Sequence, residues 1–365
     1  MREERSLLRK KTALVGLVLV LLIGGSLCIT DSDPLIVSPL EVLSCYGLWF
    51  QQLFVSFTNP VDLLTAAELR AVHPLYMQII AHAGFTLIYV IAGFLLALAG
   101  ALYQNVFRNA IASPAMLGVS SGIQLGVAVL VMVYGTAAGY FLVQRYVFAY
   151  IAVIVTLVAL FGFARLMTTK GQPVNVVNML LVGTIINQFV GVFVTYITWY
   201  VFDEESYDIF STLTTMVVPS NAVASWVALI GGAVVSILPI VLLRFRLNLL
   251  SFGADDMKML GVNASRLQLI ALVCGSIMMI TAQLQVGAVA MITLVVPHIS
   301  RALFGAEFSK QLVGNLLLGA VLLLACHIIA SLVPYSGEVP IGVVVNFVVL
   351  PAFVWMIATQ QRKWE

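Results

Sequence analysis

The chain has 365 residues, 61% of them hydrophobic and only 9% charged, and a net charge of +2. An average soluble protein carries about 25% charged residues, so this composition excludes a soluble domain. Long uncharged apolar runs instead predict one all-α membrane domain over residues 1–365, with about ten transmembrane helices. Membrane lipid is therefore expected around the protein, and no nucleic acid is expected among its partners.

The first half of the chain predicts six spans and one long outer segment. Residues 12–30 are followed by no signal-peptidase site, so they predict a retained first helix. Residues 31–77 are expected outside the membrane, with a short interfacial helix within 41–57. Spans two to six are predicted at about 78–101, 114–134, 146–164, 176–201 and 222–243. Residues 203–208 are predicted as an outer loop that a short partial helix follows.

The second half begins with the one long inner segment, residues 244–266. Residues 267–300 then contain no acidic or basic side chain apart from His298. As one helix they would measure about 50 Å, against a hydrocarbon core of about 30 Å. The sequence therefore predicts an outward span from 267 and a shorter, bent element that returns between Gly287 and Arg301. Two spans at about 311–332 and 341–358 complete the domain.

The placement of charge predicts the orientation. With the N-terminus in the cytoplasm, sixteen of the eighteen Lys and Arg residues fall inside, and only Arg70 and Arg145 fall outside. This distribution follows the positive-inside rule, so both termini are expected in the cytoplasm and the protein in the cytoplasmic (inner) membrane. The outer loops are acidic instead, most clearly at 203–208.

Four stretches carry recognisable spacing. The first reads G-x-x-x-Q-x-x-x-R-N-x-x-A-x-P-x-x-L-G-x-x-x-G, and its fixed positions include Gly100, Gln104, Arg108, Asn109, Pro114, Gly118 and Gly122. The glycines at 118, 122 and 126 predict a bare helix face that another helix approaches closely. The other stretches are 247–263, 286–305 with Pro297, His298 and Arg301, and 337–357.

In this order, the four stretches resemble the permease subunits of ATP-binding-cassette (ABC) importers for iron–siderophore complexes, haem and cobalamin. The resemblance runs from about residue 75 to the C-terminus and implies the type II importer permease fold. It also implies a homodimer with a pore at its interface, two separate ATPase subunits on the cytoplasmic side that carry ATP–Mg, and an extracytoplasmic substrate-binding protein. The chain has no G-x-x-x-x-G-K-[ST] loop, so it is not expected to hydrolyse ATP by that route. As a pore-forming subunit it is expected to be no enzyme and to hold no cofactor or metal.

Within this resemblance, the inner segment is the expected contact with the ATPase. Its glycines permit sharp turns around a short docking helix. The predicted coupling residues are Gly253, Ala254, Asp255, Asp256, Met259, Leu260, Gly261, Val262 and Asn263.

Polar residues inside spans are costly and usually face protein or a water-filled cavity. Asn187, Gln188, Gly191 and Thr195 in span five and Asn346 in span ten are therefore predicted to line the translocation pathway. Hydrogen bonding between helices is an equally open interpretation of these residues.

The sequence departs from the family at several outer positions. The outer arginines that meet the binding protein are absent, with His82 to Phe85 in one place and His327 and Ser331 in another. Either the binding protein presents basic residues or docking uses other contacts. Ala110 also replaces a proline, and residues 286–289 replace a glycine-rich turn.

Two other classes of membrane protein fit the sequence less well. A secondary transporter driven by an ion gradient would need buried acidic or basic residues at mid-membrane, and the predicted spans contain none. An intramembrane enzyme would need a nucleophile–base pair or metal ligands, and none is identifiable. A ferric siderophore is the first expectation for the ligand, with haem and cobalamin open.

Overall fold

A computed structural model describes residues 2–29, 36–58, 65, 68, 75–167, 176–215, 223–251, 257, 259–333 and 339–361. Within these residues there are twelve α-helices: α1 (Arg2–Leu27), α2 (Pro39–Thr58), α3 (Tyr76–Phe107), α4 (Val119–Tyr134), α5 (Leu142–Leu166), α6 (Val176–Tyr200), α7 (Glu204–Thr215), α8 (Val223–Leu247), α9 (Ala264–Val286), α10 (Ile292–Phe304), α11 (Phe308–Ser331) and α12 (Ile341–Gln361). Three short 3-10 turns cover Ala115–Leu117, Gly135–Tyr140 and Asn248–Ser251.

The all-α membrane class is confirmed. Seven helices are long and apolar enough to cross a bilayer, namely α3, α4, α5, α6, α8, α9 and α11. Two shorter apolar helices cover Ile292–Phe304 and Ile341–Val354. The predicted number of about ten helices is thus approximate, because the bundle mixes full spans with half-length elements.

The central element is α3, which packs against α9, α10 and α11. Its glycines let these neighbours approach to backbone contact. Gly93 lies against the backbone of Gly319 in α11, and Gly100 lies against the carbonyl of Thr293 in α10. A side chain at either glycine would displace a helix, so these two positions set the interhelical distance in the core.

The glycine stripe of span three packs against α5, but its first member is not helical. Gly118 has φ +93° and precedes the first residue of α4. A Cβ at Gly122 would stand 3.1 Å from Val153 Cα, and a Cβ at Gly126 would stand 2.6 Å from Ala149 Cα. The predicted helix start near Pro114 is therefore wrong, because a 3-10 turn and a left-handed glycine separate the proline from the helix.

The predicted division of residues 267–300 into a full span and a shorter returning element is confirmed as α9 and α10. Gly287 ends α9 with φ +79°, a conformation that favours glycine. A Cβ at Gly287 would stand 2.6 Å from the carbonyl oxygen of Thr215 at the end of α7, and a Cβ at Gly342 would stand 2.6 Å from that of Ala288. This turn therefore joins α7, α9 and the start of α12.

Two boundaries differ from the prediction. Residues 204–208 are the first turns of α7 rather than an outer loop, because the Asp203 carboxylate accepts a 2.9 Å hydrogen bond from the Ser206 N–H. Hydrogen bonding with Ser206 lowers the pKa of Asp203. Glu204 and Glu205 lie in the first turn of α7, where negative charge is favoured by the positive end of the helix dipole. The inner segment also starts later, since α8 continues to Leu247. The expected helix within 41–57 is confirmed as α2, which is 20 residues long.

Candidate functional site

Two of the sequence stretches meet at the end of α3. The Gln104 amide donates to the carbonyl of Leu294 at 3.1 Å and accepts from the Arg301 guanidinium at 2.9 Å. Gln104 is 2% exposed, so this contact lies inside the protein. It fixes α10 against α3 at one helical turn from the close approach at Gly100.

The next turn of α3 is hydrogen-bonded to the first part of the predicted inner segment 244–266, which we call the coupling segment. Arg108 ends α3 with φ +49° and donates from Nε to the carbonyl of Leu250 at 2.8 Å. Asn105 donates to the carbonyl of Leu247 at 2.9 Å. A left-handed arginine is uncommon, and here it turns the guanidinium towards the 3-10 turn. Asn109 in turn accepts from the N–H of Ile111 at 3.0 Å and shapes the connection to α4.

The same 3-10 turn is bound from the opposite side by the α10–α11 connection. Asn248 accepts from the N–H of Ser309 at 3.0 Å and donates to the Ser309 hydroxyl at 3.3 Å. The Glu307 carboxylate accepts from that hydroxyl at 2.6 Å and pairs with Lys310 at 3.0 Å. The hydrogen bond from Ser309, together with Lys310, lowers the pKa of Glu307 below its ordinary value. Hydrogen bonds therefore connect residues 247–250 both to α3 and to the α10–α11 connection.

The described part of the coupling segment exposes apolar side chains. Met259 is 80% exposed and Leu260 is 61% exposed. Gly261 has φ +71°, and the Val262 N–H closes the turn on the carbonyl of Met257 at 3.0 Å. Asn263 caps α9 by accepting from the N–H of Arg266 at 3.0 Å. Gly253, Ala254, Asp255 and Asp256 lie outside the described residues.

The predicted pathway residues of α6 divide between two faces. Asn187 points inward and bonds the Ser121 hydroxyl at 2.7 Å and the carbonyls of Ala115 and Met116 at 2.8 and 3.0 Å. Gly183, one turn earlier in α6, faces the 3-10 turn Ala115–Leu117, to which Ala115 and Met116 belong. The geometry at Asn187 is that of a hydrogen bond between helices.

The outward face of α6 carries a line of polar and small residues, which we name the α6 polar stripe: Thr184, Gln188, Gly191 and Thr195. Gly191 is partly exposed and the other three are exposed. Both threonine hydroxyls donate to carbonyls of their own helix, at 2.7 and 2.8 Å. Thr184 was not predicted, although its spacing of four from Gln188 places it on the same face. In α12, Asn346 is also exposed, between the exposed Val343 and Phe347.

At the predicted outer end, two departures from the family pattern contact each other. The His82 and His327 rings stack with centroids 5.2 Å apart, and Tyr89 stacks on His327 at 4.1 Å. The two histidines are 1% and 8% exposed. They join α3 to α11 and present no side chain to an outer partner. Arg145 is 1% exposed, so among the described residues that were predicted to lie outside, the exposed charges come from acids such as Glu204, Glu205 and Asp208.

Pro114, Pro297 and His298, the other motif residues, lie in or beside the elements that pack on α3 and α4. Pro114 is buried, and its carbonyl accepts from the N–H groups of Leu117 and Val119 at 3.1 and 3.2 Å. Pro297 is buried inside α10, and His298 beside it is half-buried. They belong to the helix that Arg301 fixes to α3.

The fold is that of a helical membrane protein in which two shorter apolar helices pack beside seven candidate spans. The chain belongs to the FecCD transport family, whose model matches residues 40–359. This finding confirms the resemblance on which the motif interpretation was based.

Comparison with curated proteins gives relatives of the same kind. The chain is 32% identical over 282 residues to the hemin transport system permease protein HmuU of Yersinia pestis, covering 76% of this chain and 81% of that protein. It is 29% identical over 259 residues to a probable iron chelatin transport system permease protein of Helicobacter pylori strain ATCC 700392 / 26695, covering 71% and 75%.

A solved inward-facing structure of a metal-chelate type ABC transporter has the same fold. Its TM-score is 0.73 at 19% identity, and the match covers 96% of this chain and 99% of that one.

Proposed function

We propose that this chain is the pore-forming subunit of an ABC importer that moves a metal chelate, first of all a ferric siderophore, across the cytoplasmic membrane. The names of the relatives support a chelate, haem or cobalamin as cargo. Hydrolysis of ATP belongs to a separate subunit in this proposal, and both termini of the chain are cytoplasmic.

The observation that carries the proposal is the exposed amide of Gln188. It lies at the middle of α6, and no described residue bonds to it. An unpaired amide facing lipid costs several kcal/mol, so this face of α6 meets protein or water instead. Two copies of the chain that bring their α6 polar stripes and their Asn346 side chains together would enclose a polar pathway.

The coupling segment supplies the contact with the ATPase. Met259 and Leu260 form an exposed apolar projection beside a glycine turn, and such a projection is stable when it docks into a cleft. Its base is bound to α3 through Arg108. Nucleotide-driven movement of the ATPase would reach the bundle along this route and alternate the pore between its two openings.

The outer surface fits a binding protein that presents basic groups. Glu204, Glu205 and Asp208 are exposed on α7, while the one described outer arginine, Arg145, is buried. Charge complementarity of this kind speeds encounter and depends on salt. Charge reversal at Glu204 and Glu205 should therefore lower the affinity for the binding protein and make that affinity less dependent on salt.

Co-purification tests the proposal. The chain is expressed with the ATPase encoded beside it and extracted in mild detergent, and the mass and ATPase activity of the complex are measured. A complex of two chains with two ATPase subunits is expected. Leu260→Asp should abolish the complex, whereas Ala306→Asp, which adds the same charge to another exposed inner loop, should retain it. A chain that purifies alone would contradict the proposal.

A further inference from the structure

Arg145 carries a buried charge that the packing of the helices leaves without a counter-ion. It lies in the first turn of α5 and is 1% exposed. Its Nε, Nη1 and Nη2 atoms have almost no accessible surface, and no described residue accepts a hydrogen bond from them or pairs with them through a carboxylate. Ionisable side chains inside a membrane protein are costly and are usually paired. Arg145 therefore raises the free energy of the packing around it.

The contacts that surround the guanidinium offset only part of this cost. Its central carbon lies 5.9 Å from the centre of the Tyr146 ring, near the limit of a cation–π interaction. The two groups interact electrostatically, but without the geometry of a hydrogen bond. The Tyr146 hydroxyl instead accepts a 2.6 Å bond from the Gln285 amide of α9, and that amide lies 3.5 Å from the carbonyl of Ser225 in α8. The ends of α5, α8 and α9 thus meet beside a positive charge that no described side chain neutralises.

The helix α5 belongs to one of two closely packed helix pairs. In the first pair, a Cβ at Gly126 of α4 would stand 2.6 Å from Ala149 Cα of α5. In the second pair, a Cβ at Gly232 of α8 would overlap the Thr281 hydroxyl of α9. Helices that approach so closely through glycine pack without gaps and move together. The pair α4–α5 and the pair α8–α9 are therefore expected to move as two units.

The boundary between the two pairs is polar. Three hydrogen bonds between uncharged side chains cross it: Tyr146 to Gln285, Tyr150 to Thr281 and Ser120 to Gln283. Such bonds contribute little net free energy, because water can replace either partner once it has access. The boundary can therefore open at small cost, and opening at the end that holds Arg145 would hydrate its guanidinium.

We propose that Arg145 destabilises the closed packing of α5 against α8 and α9, and that these helix ends separate in each transport cycle so that water reaches the guanidinium. The inference rests on the proposed function, because a separate ATPase drives the cycle, and it adds a residue that keeps the closed arrangement from becoming too stable. An apolar side chain at this position would shift the population towards the closed state.

Thermal unfolding of the purified chain in detergent tests the first part of the inference. Arg145→Met removes the charge and supplies a flexible apolar side chain that fills the same space. It should raise the unfolding midpoint by roughly 1–5 °C, because exchange of buried charges for apolar side chains is often stabilising. Arg145→Lys keeps the charge and should leave the midpoint unchanged. A lower midpoint for Arg145→Met, or its failure to fold, would show that Arg145 supports the fold and would overturn the inference.

Access of a water-soluble thiol reagent to position 145 tests the second part. The four native cysteines are replaced by alanine and Arg145→Cys is introduced. The rate of labelling by the cationic reagent aminoethyl methanethiosulfonate is measured in the complex with the ATPase, with and without ATP–Mg. Labelling should be at least about five-fold faster during ATP turnover. A variant that retains only Cys326, which is 0% exposed in α11, should label slowly in both conditions. Equal labelling of position 145 in both conditions would overturn the inference.

The same reagent restores the charge. It leaves an aminoethyl group with a positive charge on the introduced thiol, whereas methyl methanethiosulfonate leaves a neutral methyl group. The ATPase activity of the complex should fall at least about five-fold in Arg145→Cys, because the closed state is then favoured. Activity should recover after the cationic reagent and not after the neutral one. Recovery with both reagents, or with neither, would overturn the role of the charge.

The measurements separate this inference from the proposed function. The midpoint of Arg145→Met is a property of the chain alone, so it decides whether Arg145 destabilises the closed packing even if no ATPase binds. A parent chain that forms no complex with the ATPase would contradict the proposed function. A parent complex that hydrolyses ATP while position 145 stays inaccessible would overturn the inference alone.

Discussion

The turn between α9 and α10 can be tested by Gly287→Ala. Gly287 has φ +79° and ψ −169°, a region that is almost confined to glycine and costs other residues about 1–3 kcal/mol. The new Cβ would also stand 2.6 Å from the carbonyl oxygen and 2.9 Å from the carbonyl carbon of Thr215, so α7 must move. Overpacking of this kind adds at least about 1 kcal/mol. The sum is about 3 kcal/mol.

Gly305 provides a matched control. It also ends a helix, with φ +93° and ψ 176°, yet nothing lies within 4 Å of a Cβ added there. Gly305→Ala therefore carries the backbone cost without the steric contact. The difference between the two variants isolates the contact between Gly287 and α7.

Thermal unfolding in detergent measures both variants. Cys45, Cys274 and Cys326 are free and buried, so a thiol-reactive dye reports their exposure. With an unfolding entropy of about 2.1 cal/mol/K per residue, a loss of about 3 kcal/mol lowers the midpoint of this chain by about 4 °C. Gly305→Ala should lower it by about two thirds as much, because it keeps only the backbone cost of about 2 kcal/mol. Equal shifts in the two variants would refute the contact between the turn and α7.

Three further predictions concern the joints of the bundle. Gln104→Leu removes the acceptor of Arg301 and should cost about 2 kcal/mol of stability, the value of a hydrogen bond to a charged group. Asn187→Leu should also destabilise, by about 1 kcal/mol, because it leaves the half-buried carbonyls of Ala115 and Met116 without their donor, whereas Gln188→Leu should slow transport at unchanged stability. Because the pKa of Glu307 is lower in the folded protein than in the unfolded chain, the ionised carboxylate stabilises the fold. This contribution to the free energy of unfolding is complete above the unfolded pKa of about 4.3 and is lost as the pH falls through the lower folded pKa.

The same dye assay and a transport assay decide these predictions. A Gln104→Leu variant as stable as the parent would contradict the joint between α3 and α10. If Gln188→Leu unfolds earlier and Asn187→Leu does not, the two faces of α6 are assigned the wrong way round. For the third prediction, Glu307→Gln should flatten the acid side of the stability profile, and an unchanged profile would exclude the carboxylate as its cause.

The charge and length of the apolar runs were sufficient to predict the hairpin of α9 and α10. A run too long for one span had to return, because Arg301 belongs on the side where the run begins. The same evidence could not show that Arg301 reaches Gln104. These residues are 197 positions apart, and only the packing of α10 on α3 brings them together.

Local polarity was a less reliable guide. Six polar residues at 203–208 resemble a loop, yet Asp203 caps a helix and the two glutamates favour its first turn. Asn187 and Gln188 are adjacent and equally polar, but neighbours on a helix point about 100° apart, so one bonds inward and the other faces out. Sequence spacing alone does not tell which of the two faces meets the core.

The central position of α3 has a consequence for synthesis in the cell. A ribosome makes α3 well before α9, α10 and α11, the helices against which it packs. Until they arrive, the side chain of Gln104 and the grooves at Gly93 and Gly100 lack their final neighbours. Assembly of the core therefore waits for the last third of the chain, and a nascent protein stopped before α9 exposes its central helix to the lipid and to quality-control proteases.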